Sequence, residues 1–290
     1  MHKFLRAIGF SDITKKDLEM ILDEVITRPE IMKITKDSEG NEFAELSGSF
    51  AANAGITVRG TYQEDDSFHM DYYYPSVFGT SITTNEQIDV EKHAEKESYA
   101  GVCDEVNLGV TLIFYIQNVA DYLAETNRHL SKIHYGAMLA GLSTEGKILC
   151  PVVERKKNDV PAIQKNDRHN QLIAQAREGD EDAIESLTLE DMDTYALLSQ
   201  RVMKEDIFSI VKSTFMPFGI ESDQYTVLGE IIDCVTMENK LTHEKLYGMK
   251  LLCNNIQFDV CINEKDLLGE PAIGRRFRGN VWMQGNLCLE

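Results

Sequence analysis

The sequence predicts an α+β fold: an antiparallel sheet with helices in the N-terminal part, a helical connector, and a small C-terminal domain that is β-barrel-like or a curved sheet. Strand-like segments follow an amphipathic helix and precede a helix and a further strand. This order is typical of α+β proteins and differs from the βαβ alternation of parallel sheets. The length of 290 residues also suggests two domains.

The first element is a helix over 15–27. Its apolar residues recur at i, i+3, i+4, i+7 and i+8, which is the spacing of one helix face; they are Leu18, Ile21, Leu22, Val25 and Ile26. Thr14 is a predicted N-cap, with Asp17 three residues later. Pro29 is expected to end the helix.

Strands follow this helix. The turn residues 39–41 predict a hairpin between 31–36 and 42–50. Further segments have strand-like alternation or turn signals, and they predict strands at 54–62 and 68–74, a hairpin at 99–116, a helix at 117–128 and a strand at 133–142. Together they form the predicted α+β domain at 1–150.

A linker is predicted at 151–166, because it combines Pro151 and Pro161 with a charged patch at 154–157. A helical connector follows at 167–205. The remaining residues, 206–290, form the predicted small β domain, with strands at 206–215, 225–236, 246–254, 256–262 and 275–285 and a short helix at 264–268. A five-stranded oligonucleotide- or oligosaccharide-binding type of barrel is one candidate architecture for it.

The charge of the chain limits its partners. Lys and Arg number 29 against 48 Asp and Glu, which gives a net charge of −19. General nucleic-acid binding is therefore disfavoured, because it depends on neutralising phosphates, and docking on anionic lipid is disfavoured for the same reason. The longest apolar run, 110–116, is far shorter than the about 20 residues that span a bilayer. We expect a cytoplasmic protein.

The six cysteines have no Cys-x-x-Cys spacing. In a long chain without an export signal, their even number is a weak argument for disulfides, and free thiols are expected. The histidines show no metal-binding spacing either, and no metal or cofactor is expected. His69 and Asp71 share one strand face, and with His134 they would be the groups to examine in an enzyme.

The predicted binding site lies on the strand at 275–285. In a strand, alternate side chains share a face, and the polar face here consists of Arg276, Arg278, Asn280, Trp282 and Gln284. Guanidinium groups bind carboxylate or phosphate in a bidentate manner, and an indole offers a stacking surface. This face is predicted to bind a small anionic ligand or a protein partner.

A structural role for the same face is the alternative. The two arginines would then pair with polar residues of a neighbouring strand, for which Asp259 and Gln257 are candidates. No nucleophile elbow, phosphate-binding loop or dinucleotide-binding glycine motif occurs in the sequence.

We therefore expect a non-enzymatic binding or regulatory protein. An enzyme without a recognised motif, with its site where the domains meet, is the alternative. Single-strand nucleic-acid binding through the β domain is the weakest possibility because of the charge.

Three segments resemble a domain-of-unknown-function family of clostridia, which are anaerobic Gram-positive bacteria. They are 2–10, the pair 209–211 and 215–221, and 269–279. The resemblance covers nearly the whole chain. It implies a bacterial cytoplasmic protein and assigns no catalytic residues.

Overall fold

The fold, taken from a computed structural model, consists mainly of β-strands. The structure describes residues 1–92, 96–128, 134–151 and 211–289, with a few positions between 172 and 187. Fourteen strands, two α-helices and two short 3-10 helices lie in 1–92, 96–128, 134–151 and 211–289, and helical residues occur among the described positions between 172 and 187. The predicted α+β class is therefore wrong. Strands from both halves of the chain join in one large sheet, and the two α-helices pack against strands instead of forming a layer.

The elements in chain order begin with a 3-10 helix at Lys3–Ile8 and α1 at Lys15–Thr27. The first strands and second helix are β1 Ile31–Lys36, β2 Glu42–Ala51, β3 Ala54–Tyr62, β4 Phe68–Val77, β5 Thr84–Lys92, β6 Tyr99–Glu105, β7 Val110–Ile116, α2 Val119–Asn127 and β8 His134–Leu149. The remaining strands are β9 Thr214–Pro217, β10 Gln224–Glu238, β11 Lys245–Cys253, β12 Ile256–Asn263, β13 Leu267–Leu268 and β14 Arg276–Leu287, with the second 3-10 helix at Glu264–Asp266.

The predicted first helix is confirmed as α1. The hydroxyl of Thr14 accepts a hydrogen bond from the backbone N–H of Asp17 at 3.2 Å, which satisfies one of the otherwise unpaired donors at the helix start. The apolar face of α1 buries Leu18, Leu22 and Val25. This face packs on β2 and β3.

The strands β1 to β4 form an antiparallel four-stranded sheet in sequence order. The register places Glu45 of β2 opposite Arg59 of β3, and Arg59 opposite Tyr72 of β4. An extra residue in β4 produces a bulge next to Arg59. Bulges re-aim side chains, and this one occurs where the sheet carries its buried charges.

The larger sheet closes on itself twice around the antiparallel pair β8 and β14. One ring runs β8–β12–β11–β10–β14. The other runs β8–β5–β6–β7–β14 at the opposite end of the same pair. The predicted C-terminal barrel is therefore not made by C-terminal strands alone, since β8 supplies the fifth strand of the first ring.

Two clusters of buried side chains fill the molecule. The first lies inside the rings and includes Phe114, Phe258 and Phe277. The second lies between the four-stranded sheet, the N-terminal helices and the outer side of the rings, and it includes Leu46 and Trp282. The rings and the four-stranded sheet therefore share a core.

Almost all of the predicted linker and most of the predicted helical connector fall outside the described residues, as does the first half of the strand expected at 206–215. The domain boundaries remain a prediction. Within the described part, no helix is long and apolar enough to cross a membrane.

A substitution at Gly141 of β8 tests the close packing inside the rings of strands. A Cβ atom added at Gly141 would lie 2.0 Å from Cγ1 of Val281, so we expect Gly141→Ala to destabilise the fold by about 1–3 kcal/mol through overpacking. Urea unfolding measures the change. In the double variant with Val281→Ala the two losses should be less than additive, and an unchanged urea midpoint for Gly141→Ala would contradict the packing.

Candidate ligand-binding site

The structure disperses the five predicted site residues of β14. Arg276 is buried, and its guanidinium donates to the backbone carbonyls of Cys150 at 2.9 Å and Val211 at 2.7 Å. Burial lowers the pKa of this guanidinium. Cys150 follows β8 and Val211 precedes β9. Arg276 therefore links β14 to the chain on both sides of the segment between β8 and β9.

Gln284 is also buried and joins the two sheets. Its amide oxygen accepts from the backbone N–H of Val77 at 3.1 Å and from the side chain of Gln117 at 2.9 Å. Its amide nitrogen donates to the carbonyl of Pro75 at 2.8 Å. All three bonds connect β14 to neighbouring backbone or core, and Gln284 is fully inaccessible to solvent.

Arg278 and Asn280 line a cavity of about 390 Å³ on the outside of the rings. Arg278 lies directly opposite Lys147 of β8. Asn280 accepts from the hydroxyl of Thr226 at 2.7 Å and donates to Glu145. The suggested partner strand β12 pairs with β8 and β11, so it does not place acids directly beside the arginines of β14.

Trp282 contributes to a different cavity, which lies between the two closed rings of strands and the four-stranded sheet. Its indole N–H donates to the carboxylate of Asp223 at 2.7 Å. The ring centroid of Trp282 lies 4.9 Å from His2, 5.3 Å from Phe4 and 5.5 Å from Tyr115. The indole is therefore fixed by a hydrogen bond at its nitrogen and by aromatic contacts with its ring.

This second cavity, which we call the aromatic pocket, has a volume of about 450 Å³. Its aromatic lining is His2, Tyr72, Tyr73, Tyr74, Tyr115 and Trp282, and its charged lining is Lys96, Glu221 and Asp223. Small-molecule sites are commonly this size, with mostly apolar walls and few polar groups. Five separate parts of the chain meet here: the first residues, β4, the β6–β7 hairpin with the residues before it, the loop preceding β10, and β14.

Arg59 lies behind this pocket and is fully buried. It forms an ion pair with Glu45, in which Nη2 lies 2.8 Å from the carboxylate and Nε donates at 2.9 Å. It also donates to the carbonyls of Ile116 at 3.0 Å and Gln117 at 2.8 Å. The first carbonyl ends β7 and the second belongs to the residue that follows it, so Arg59 joins the four-stranded sheet to the rings of strands.

The same guanidinium orients three tyrosines of the pocket. It donates to the hydroxyls of Tyr72 at 3.0 Å, Tyr115 at 2.7 Å and Tyr74 at 3.1 Å. A guanidinium has five N–H groups, and these partners use all of them. Because the phenol oxygens point at Arg59, the ring surfaces rather than the hydroxyls form the pocket walls.

The pKa values follow from this burial. Burial alone would lower the pKa of Arg59, but the tyrosine oxygens and Glu45 outweigh that effect and raise it. Burial raises the pKa of Tyr74 and Tyr115. Arg59 is therefore charged and these two tyrosines are neutral at physiological pH.

His2 is neutral as well. Burial, and then the nearby charge of Lys3, lowers its pKa to about 4. Its Nδ1 accepts from the backbone N–H of Phe4 at 3.4 Å, capping the first 3-10 helix. His2 therefore acts in the pocket as an aromatic ring rather than as a cation.

The predicted enzyme candidates are not brought together in a described site. His69 is exposed on β4 and lines neither the aromatic pocket nor the cavity at Arg278. His134 begins β8. Among the described residues, no three His, Cys, Asp or Glu side chains are placed to hold a metal ion.

Sequence reasoning missed Arg59, Glu45 and the three consecutive tyrosines 72–74. Two signals were present: a charged residue inside each of two apolar strands, and the Tyr-Tyr-Tyr run. The pairing of β2 with β3 then brings the two charges together.

A comparison with models of protein families assigns the chain to a family. The family model DUF3881, described as a domain of unknown function from a gene of E. rectale, matches residues 5–285. The chain belongs to this family, and the predicted resemblance is confirmed. No curated protein and no solved structure matches it.

Arg59→Met should destabilise the protein by about 3–5 kcal/mol, because it leaves Glu45 buried without its counter-charge. Urea unfolding measures the loss. Lys33→Met is the matched control, since Lys33 forms a half-exposed ion pair with Asp121 at 2.6 Å, and such pairs contribute about 0–1 kcal/mol. Equal losses in the two variants would contradict the structural role of Arg59.

His2 should make stability depend on pH. Between about pH 4 and 6.5 the unfolded chain binds more protons at this position than the folded chain, so stability rises with pH across that window. His2→Asn keeps a side-chain acceptor for Phe4 and removes the titration, and its stability should change less with pH. Parallel stability curves for the two proteins, measured by urea unfolding from pH 4 to 7, would refute this.

Proposed function

We propose that this chain is a cytoplasmic bacterial protein that binds a small molecule in the aromatic pocket without transforming it. The observation that carries the proposal is the convergence of six aromatic rings from separate elements on one cavity of about 450 Å³. Hydrogen bonds hold four of these rings: three tyrosine hydroxyls accept from Arg59, which lies behind the cavity, and the indole of Trp282 donates to Asp223. A pre-formed pocket of this kind lowers the ordering cost of binding.

The polar groups around the pocket support binding rather than catalysis. Asp223 holds the indole of Trp282, and Nδ1 of His2 accepts the hydrogen bond that caps the first 3-10 helix. Arg59 has donated every N–H to the protein. These groups fix the shape of the walls.

The thiols support the proposed compartment, and three buried thiols are unsuited to nucleophilic catalysis. All six cysteines are free, as expected where reduction is maintained. Burial raises the pKa of Cys103, Cys253 and Cys261 to about 12. A thiol with so high a pKa is a poor nucleophile at neutral pH.

The cavity at Arg278 is a second candidate site, for the small anion or partner expected from the sequence. The specific observation in its favour is the placement of Lys147 directly opposite Arg278, in a lining that also contains Asn280, Thr226 and one acid, Glu145. Two cations on adjacent strands favour a phosphate or carboxylate group.

Trp282 makes the aromatic pocket directly testable, because it is the only tryptophan in the chain. We expect a ligand from a panel of cationic, neutral and anionic metabolites to change its fluorescence in a saturable manner. Tyr73→Ala, which removes a pocket wall, should weaken that binding at least tenfold. Tyr247→Ala is the matched control, a partly exposed tyrosine outside the pocket.

The outcomes separate the alternatives. Binding that survives Tyr73→Ala, or a panel with no saturable effect on fluorescence or melting temperature, would contradict the proposal. A ligand recovered chemically altered would favour an enzyme. An anion that raises the melting temperature without changing Trp282 emission, and is lost in Arg278→Gln, would place binding at the second cavity.

A further inference from the structure

We infer that the ligand of the aromatic pocket carries a positively charged ammonium group, which lies against the tyrosine and tryptophan rings. This inference rests on the proposed function and specifies the chemical class of the ligand. Three features of the pocket carry it: the ring surfaces, the acidic mouth, and the absence of a buried donor for an anion among the described lining residues.

The ring surfaces are the first feature. Aromatic faces carry a negative quadrupole and attract cations, and cages of such rings bind quaternary ammonium groups. The protein's own cations already use these rings. The guanidinium carbon of Arg59 lies 4.9 Å from the centroid of Tyr74 and 5.3 Å from that of Tyr115, and Nζ of Lys96 lies 5.9 Å from that of Tyr72.

The acidic mouth is the second feature. Glu221 and Asp223 stand on the loop before β10, and both line the cavity. His2 adds no charge at neutral pH, because burial lowers its pKa to about 4. Lys96 opposes the two acids with a single charge, and its ammonium group donates to the carbonyl of Asp71 at 2.8 Å.

The third feature is that the N–H groups of Arg59 are already bonded to the protein. Arg59 binds the hydroxyls of three pocket tyrosines, and Glu45 forms an ion pair with it at 2.8 Å. All of its N–H groups bind protein oxygens, so none remains for a ligand carboxylate or phosphate. The pocket thus has carboxylates and ring faces for a cation and no buried donor for an anion among the described lining residues.

Choline and its neutral isostere 3,3-dimethylbutan-1-ol provide the test, because they have nearly the same shape and differ in charge. We expect choline to change Trp282 emission with saturation in the millimolar range, and the neutral alcohol to bind at least tenfold more weakly. Tyr73→Ala should abolish the choline effect, since it removes a ring from the wall.

Glu221→Gln tests the contribution of charge without touching the bond between Asp223 and Trp282. We expect it to weaken choline binding about three- to tenfold and to leave binding of the neutral alcohol unchanged. Glu19→Gln is the matched control, because Glu19 is an exposed acid on α1 outside the pocket lining. It should leave both affinities unchanged.

Equal affinity for choline and the alcohol, no choline effect, or no effect of Glu221→Gln would overturn the inference. If the neutral alcohol binds as tightly as choline, or if the anion benzoate binds, in a manner lost in Tyr73→Ala, the inference fails and the proposed function stands. If the panel of metabolites, choline, the alcohol and benzoate all leave Trp282 emission and the melting temperature unchanged, both fail.

Discussion

The buried guanidinium of Arg59 is the interaction on which the rest of the structure depends. Removing a charge from water costs several kcal/mol unless its partners compensate, and here every N–H has an acceptor. The acceptors come from β2, β4, β7 and the residue that follows β7. They can surround one guanidinium only when the four-stranded sheet and the rings dock in one orientation.

The aromatic pocket is a consequence of that docking. The tyrosines that satisfy Arg59 turn their hydroxyls inward and leave ring surfaces on the outside, where Trp282 of β14 meets them. Gln284, two residues further along β14, binds the end of β4. One strand, β14, therefore closes both rings of strands and also supplies the pocket floor. This explains why some of its polar residues have structural roles and others line the pocket.

Much of the local structure was predictable from the sequence, whereas its assembly was not. The helix at 15–27, the first hairpin and most C-terminal strands follow from apolar spacing and turn residues. Periodicity does not give strand order, so the extension of β8 to Leu149 and its pairing with both β12 and β14 were missed. The sequence places Arg278 and Trp282 on one face of β14, but different neighbouring residues put them in different cavities.

Native-state hydrogen exchange of the amides in β3 and β7 tests the central claim most directly, because Arg59 joins these two strands of different sheets. If the guanidinium makes the sheets one cooperative unit, the slowest amides of both strands should exchange through the same opening, with equal free energies and equal denaturant dependence. Exchange of β3 through a separate opening of lower free energy, while β7 stays protected, would contradict the account.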